Sequence, residues 1–247
     1  MLFALATMAM QGSWRLVWRD EFNRDGQPDP TKWGYEKGFV RNQEAQFYAE
    51  DRRENARVEN GRLLIEARKD GFGGHPVSSA SLTTQGKASW TYGRIEVRAK
   101  IPTGKGTWPA IWMLGTGGRW PQDGEIDILE NVGFDPNKAV FTVHSTKLDG
   151  TGHEGWGESI TVPNLSAAYH VYSLEWSPSA MVWSVDGKVS HTYTKADPHG
   201  VAWIFDKPQY LLLNLAIGGA WGGQQGVDDS IFPARYEIDY VRVYQKR

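Results

Sequence analysis

The chain has 247 residues, with 27 Lys and Arg against 29 Asp and Glu, a formal net charge of −2, and no cysteine. That balance excludes the basic surplus that a nucleic-acid partner selects, and the missing cysteine rules out disulfides, thiolate metal sites and thiol nucleophiles. One all-β domain of this length buries about 70–75 % of its extended surface, while 12 Trp and 28 Gly point to exposed aromatic platforms joined by tight turns.

Residues 2–10 form a short apolar run with small residues (Ala4, Ala6, Ala9) and no Lys or Arg before it. Residues 1–12 therefore read as a leading segment, either an expression artefact or the remnant of a secretory signal. The domain proper is taken as 13–247. No apolar run approaches the roughly 18 residues of a membrane helix, so no membrane partner is expected. Leu63, Ile65 and Ala67 alternate with Leu64, Glu66 and Arg68, and residues 94–101 alternate without a fault; both predict half-buried strands. Trp108 and Trp112 follow in a Gly/Pro-bounded segment, where an indole face can stack on a pyranose.

The acidic segment Gly124-Glu125-Ile126-Asp127-Ile128-Leu129-Glu130-Asn131 comes next. On a strand Glu125 and Asp127 share one face, and Ile126 and Ile128 share the other. Strict alternation would then send Glu130 into the core, where a lone carboxylate is very costly. One inserted residue, a bulge near Ile128-Leu129, returns Glu130 to the acidic face. Ladder geometry then leaves about 5–6 Å between the Glu125 and Glu130 carboxyl groups, the separation of a retaining glycosidase pair. Three crowded carboxylates cannot all ionise cheaply, so at least one pKa is expected to rise.

His144 falls on the strand after the acidic one. Residues 181–185 and 188–191 flank Asp186-Gly187, the signal of a two-residue hairpin. Residues 210–217 are apolar except for Asn214, as in a strand covered on both sides. Trp221 follows Gly218-Gly219-Ala220 in what reads as a loop, and residues 236–244 form a last strand. No segment sustains a helical period, and many short strands with Gly-rich turns indicate a two-sheet sandwich or a barrel. The six His residues show no HExxH spacing, which argues against catalytic zinc.

The stretch Glu125-Ile126-Asp127-Ile128-Leu129-Glu130 resembles the active-site signature of glycoside hydrolase family 16, in the bulged branch that contains laminarinases, agarases and κ-carrageenases. The likeness extends through Trp18-Arg19-Asp20-Glu21-Phe22, Asn42-Gln43-Glu44, Tyr92-Gly93-Arg94, Gly106-Thr107-Trp108-Pro109-Ala110-Ile111-Trp112 and Glu237-Ile238-Asp239-Tyr240, and is closest to laminarinases. It implies an all-β jelly-roll sandwich of two antiparallel sheets with a concave cleft, acting as a secreted monomer on β-glucan. The implied activity is that of a retaining endo-β-1,3-glucanase. A mixed-linkage β-glucanase, an agarase- or carrageenase-like galactan hydrolase and a non-catalytic β-glucan-binding protein are the alternatives.

The resemblance makes Glu125 the nucleophile, Glu130 the acid/base and Asp127 their modulator. It assigns substrate contacts to Asn42, Arg94, Trp108, Trp112, His144 and Trp221, with His144 near Glu130. It implies no catalytic cofactor. Structural Ca²⁺ at Glu21, Gly61 and Asp239, away from the cleft, would suit oxygen ligands.

Overall fold

The computed structural model describes residues 13–247, and the leading segment 1–12 lies outside them. The first seven strands are β1 (Trp14–Asp20), β2 (Gly34–Tyr35), β3 (Gln46–Tyr48), β4 (Ala56–Val58), β5 (Leu63–Ala67), β6 (Val77–Ser79) and β7 (Ser81–Thr83). Then come β8 (Gly93–Lys100), β9 (Thr107–Gly115), β10 (Glu125–Glu130), β11 (Lys138–Ser145) and β12 (Glu154–Thr161). The last are β13 (His170–Trp176), β14 (Ala180–Val185), β15 (Lys188–Thr194), β16 (Gln209–Ile217) and β17 (Ala234–Lys246). One sheet runs β15-β14-β13-β8-β17-β5-β4, with β1 also on β17; the other runs β12-β11-β10-β9-β16-β7-β2. Both sheets are antiparallel, and the core lies between them, with β8, β13, β14 and β17 facing β9, β10, β11 and β16. Among the described residues no helix is long and apolar enough to cross a membrane.

Alternation explains most strand faces. In β8 the residues Gly93, Ile95, Val97 and Ala99 are buried and Arg94, Glu96, Arg98 and Lys100 are not. The Asp186-Gly187 hairpin closes β14 on β15 with both turn residues at positive φ, 51° and 75°, as a type I′ turn requires. β16 is buried along its whole length, because its outer face lies under Trp108 and Trp112 while its inner face joins the core.

Two expectations are corrected. β5 is not half-exposed: all five residues are buried. The carboxylate of Glu66 is covered by Arg57 (3.3 Å), Arg235 (2.8 Å) and Arg68, which satisfy both of its oxygens. Trp221 stands on a single helical turn, α1 (Gly219–Gly222), and not in an open loop.

The predicted bulge is present in β10. Glu125 pairs with Leu114 and His144, and Asp127 with Trp112 and Thr142. The register then shifts, and Glu130 pairs with Ala110 and Val140. Ile128 and Leu129 are consecutive, yet both are fully buried. Across the core, the Trp183 indole N–H donates to the Asp127 carbonyl at 2.8 Å, tying β14 to the start of the irregularity.

The three positions that the resemblance assigned to calcium lie on the β17 sheet, away from β10. Glu21 accepts two bonds of 2.8 Å from Arg242, and Asp239 accepts one of 2.5 Å from Arg98. Both carboxylates are neutralised by guanidinium groups. As arranged, Glu21, Gly61 and Asp239 do not present a donor set that fits Ca²⁺, because an ion would have to displace two arginines.

Replacing Trp183 by Phe removes the donor and leaves the Asp127 carbonyl without that partner. The expected loss is about 1–3 kcal/mol of stability, read from urea unfolding, together with a drop in kcat as the bulge loosens. An unchanged midpoint and unchanged kcat would show that the bulge holds itself.

Candidate active site

A groove of about 750 Å³ runs over the outer face of the β9–β10–β11 sheet. Glu125, Glu130, Trp108, Trp112, Trp120 and Trp221 line it, together with Arg41, Asn42, His144 and His153. A narrower recess below it adds Glu44, Asp127 and Asn214. The pleat aims Glu125 and Asp127 at one face, and the bulge brings Glu130 to the same face.

Each outer carboxylate is held by an indole. Trp108 Nε1 donates to Glu130 Oε1 at 2.9 Å, and Trp120 Nε1 donates to Glu125 Oε2 at 2.6 Å. One oxygen of each carboxyl group is thereby fixed and the other left for chemistry. Asp127 lies beneath them, 1 % exposed. Its Oδ2 has no hydrogen-bond partner and sits 3.2 Å from His144 Nε2. His144 Nδ1 lies 3.0 Å from His153 Nε2, and the His153 ring packs at 4.6 Å on Trp120. A continuous set of contacts thus links Asp127 through His144, His153 and Trp120 to Glu125.

Burial pushes Glu125 up to about 8, with the Asp127 charge adding to it. Burial also raises Asp127 to about 8. Burial and the charges of Asp127 and Glu125 hold Glu130 well above the usual carboxylate range. Both outer carboxyl groups thus hold a proton to higher pH than a free carboxylate, and a carboxyl group that stays protonated is what a general acid needs.

The residues expected at the cleft separate into two groups. Glu125, Asp127, Glu130, Asn42, Trp108, Trp112, His144 and Trp221 all meet at the groove or its recess. His144 differs in detail, for its cross-strand neighbour is Glu125, and Glu130 faces Val140. Arg94 is elsewhere: it projects from the opposite sheet, 4.6 Å from the Tyr244 ring and 3.5 Å from Glu96. The alternation that buries Ile95 and Val97 forces it outward.

Arg41, Glu44, Trp120, His153 and Asn214 were missed. Glu44 accepts from Gln46 at 2.7 Å and Tyr48 at 3.2 Å, and burial raises its pKa. Asn214 accepts from Trp112 Nε1 at 2.7 Å and donates to Tyr48 at 3.0 Å. Asn214 was the polar break in an apolar strand and carried a usable signal. Trp120 and His153 sit on loops whose approach to β10 no local pattern encodes. Glu125, Asp127 and His144 each offer a ligand atom within 4.8 Å of one another, so a transition-metal cation could be held there.

The family model described as "Glycosyl hydrolases family 16" matches residues 43–242. The chain is 48 % identical over 244 residues to a beta-glucanase of Rhodothermus marinus, covering 94 % of this chain and 85 % of the relative. It is 37 % identical to a glucan endo-1,3-beta-glucosidase of Cryptopygus antarcticus, over 98 % of this chain and 96 % of that one. The laminarinase structure from Rhodothermus marinus superposes with a TM-score of 0.89 at 47 % identity, over 96 % of this chain and 99 % of that chain. A variant of SCLam, a non-specific endo-beta-1,3(4)-glucanase with 1,3-beta-D-cellobiosyl-glucose at its active site, superposes with a TM-score of 0.87 at 46 % identity, over 94 % and 95 %.

The raised carboxylates fix a pH dependence. Each holds its proton to higher pH in the folded chain than in the unfolded one, where carboxyl groups titrate near about 4. Their contribution to stability is thus full below about pH 4 and lost as pH rises to about 8 and beyond. Asp127→Asn removes the buried charge that Asp127 acquires as pH rises to about 8, and with it the push on Glu125 and Glu130. The variant should lose activity, gain stability at pH 8 relative to pH 5 in urea unfolding, and shift the basic limb of its kcat profile to lower pH. A wild-type-like pH dependence of both would refute the assignment.

Proposed function

The chain belongs to glycosyl hydrolases family 16, and from that premise we propose that it is a retaining endo-β-1,3-glucanase that cuts laminarin-type glucans. The observation that carries this reading is the bulged β10, which sets Glu125 and Glu130 on one groove with Asp127 between them. Glu125, anchored through one oxygen by Trp120, attacks the anomeric carbon with the other. Glu130, oriented by Trp108, protonates the departing glucan oxygen. A glycosyl–Glu125 ester results. Glu130, now ionised, then takes a proton from water, which attacks the same carbon and releases Glu125. The two inversions give net retention.

The proton ledger closes without an outside group, and enzymes of this family need no catalytic cofactor. Burial first, and then the neighbouring Asp127 and Glu125 carboxyl groups, keep Glu130 protonated before the first step. As Glu125 is consumed in the ester its negative charge disappears. The Glu130 pKa then falls, which suits a base.

The groove favours neutral polymers. Its lining and recess carry Glu44, Glu125, Asp127 and Glu130 against Arg41 as the one Lys or Arg, and Arg41 is already paired with Glu36, so sulfated galactans would find no free cationic partner. Retention of both Glu125 and Glu130 argues against a purely binding role. A polymeric substrate outside the cell supports secretion. The ligand reported at the active site of the similar SCLam structure favours tolerance of mixed β-1,3/1,4 linkages as a second reading.

A product profile on laminarin, lichenan, agarose and carrageenan tests this directly: internal cuts in laminarin, with lichenan second and no galactan release, are expected. Glu125→Ala should lower kcat by about 10⁴-fold or more while oligosaccharide binding persists. Glu130→Ala should lose about 10²–10⁴-fold on unactivated glucan, and azide should restore turnover on substrates with good leaving groups as a β-glycosyl azide. Agarose cleavage without laminarin cleavage would overturn the assignment.

A further inference from the structure

Trp112 lies on the groove floor but offers no free indole face there. It is 5 % exposed, and its Nε1 is committed to Asn214 at 2.7 Å. Over its ring, with Cζ 4.7 Å from the centroid, lies the guanidinium of Arg41. Arg41 in turn donates from Nη1 to Glu36 Oε2 at 2.9 Å and from Nη2 to Glu36 Oε1. Ser81 Oγ holds the same carboxylate at 2.7 Å. A guanidinium has five N–H bonds, so three remain beyond the Glu36 pair. The backbone beside it is unusual as well: Asn42 and Gln43 are consecutive non-glycine residues with φ of 55° and 54°. The strained turn is tied down by the Asn42 carbonyl, which accepts from the Ala220 amide at 2.8 Å. Such conformations persist only where the surroundings over-determine them. Here they carry Arg41 to the groove wall.

We propose that Arg41 is a specificity-determining residue of the groove: laid on Trp112 and neutralised by Glu36, it presents N–H donors to the hydroxyls of an uncharged sugar unit where an indole face would otherwise stack. The idea deepens the glucanase reading and rests on it. A planar fork backed by an aromatic plate is pre-organised, so little rotamer freedom is lost when hydroxyls bind. The Glu36 carboxylate cancels the guanidinium charge, so the position gains little from a sulfate or carboxylate on the sugar. Arg41 thus reads hydroxyl pattern, while Trp108 and Trp221, set edge-to-face at 5.5 Å, supply apolar surface farther along.

Three variants test this. Arg41→Met keeps an apolar cover on Trp112 and removes the donors; Arg41→Lys keeps the charge and loses the fork; Glu36→Gln keeps the donors and loses the neutralising charge. Steady-state kinetics on laminari-oligosaccharides, and their calorimetric titration into Glu125→Ala with and without Arg41→Met, give the readout. The expected result for Arg41→Met is KM and Kd raised by about tenfold with kcat within about threefold, and poor rescue by Lys. The wild type should bind sulfated laminari-oligosaccharides at least about tenfold more weakly than neutral ones, and Glu36→Gln should narrow that gap. KM and Kd within twofold of wild type in Arg41→Met overturn the proposal, as does a loss confined to kcat. Should Arg41→Met fail to fold by circular dichroism, the Lys and Gln variants are sufficient alone: Lys restoring full affinity, or Gln leaving the gap unchanged, refutes the proposal. A wild-type chain that cuts no β-1,3-glucan defeats the glucanase reading instead.

Discussion

The site depends on one irregular strand. β10 needs a core face, supplied by Ile126, Ile128 and Leu129, and an acidic face, supplied by Glu125, Asp127 and Glu130. Six residues cannot satisfy both under strict alternation. The extra residue resolves the conflict by sending two consecutive side chains inward. The resulting kink is stitched to the opposite sheet by the Trp183–Asp127 bond. Core packing and catalytic geometry are therefore one problem, solved by the same backbone distortion.

The cost of that solution is electrostatic. Three carboxylates close together, one of them almost wholly buried, are unfavourable at neutral pH. Two indole N–H groups and His144 offset part of the repulsion, yet all three pKa values stay high. Elsewhere the fold treats buried acid differently. Glu66 is surrounded by Arg57, Arg68 and Arg235, and Glu21 is clamped by Arg242. Glu66 and Glu21 receive guanidinium partners, whereas the β10 acids are met by two indole N–H groups and a histidine. A permanent cation there would pull Glu130 toward ionisation and remove the proton that the leaving group needs.

The groove walls come from segments far apart in the chain. Arg41 and Asn42 arrive from the β2–β3 connection, Trp120 from the β9–β10 loop, His153 from the β11–β12 loop and Trp221 from the turn after β16. The central strands β9, β10, β11 and β16 are the rigid platform, and the loops decide which sugar lies on it. Trp112 illustrates the division. It lies on the platform, but Arg41 from a loop takes its exposed face.

Much was legible from the residues alone, because the period of a strand is short and strict. Alternation in β8, the Asp186-Gly187 turn and the misfit of Glu130 with its own strand are local facts. Together they implied two sheets, a hairpin, a bulge and a shared acidic face before any contact was known. What alternation cannot carry is the identity of the neighbour. Arg94 was placed in the groove by likeness, although its own strand lies in the other sheet. Glu66 looked solvent-facing until Arg57 and Arg235, from two other strands, closed over it beside its near neighbour Arg68. Glu21 and Asp239 looked available to a cation until Arg242 and Arg98 reached them. Arg41, Trp120 and His153 carried no sequence pattern at all. Strand faces are set by neighbours one and two residues away, so the chain determines them by itself. The arginine partners of Glu21 and Asp239, the groove walls and the covering of Trp112 are set by residues tens of positions apart, and only the folded arrangement brings those together.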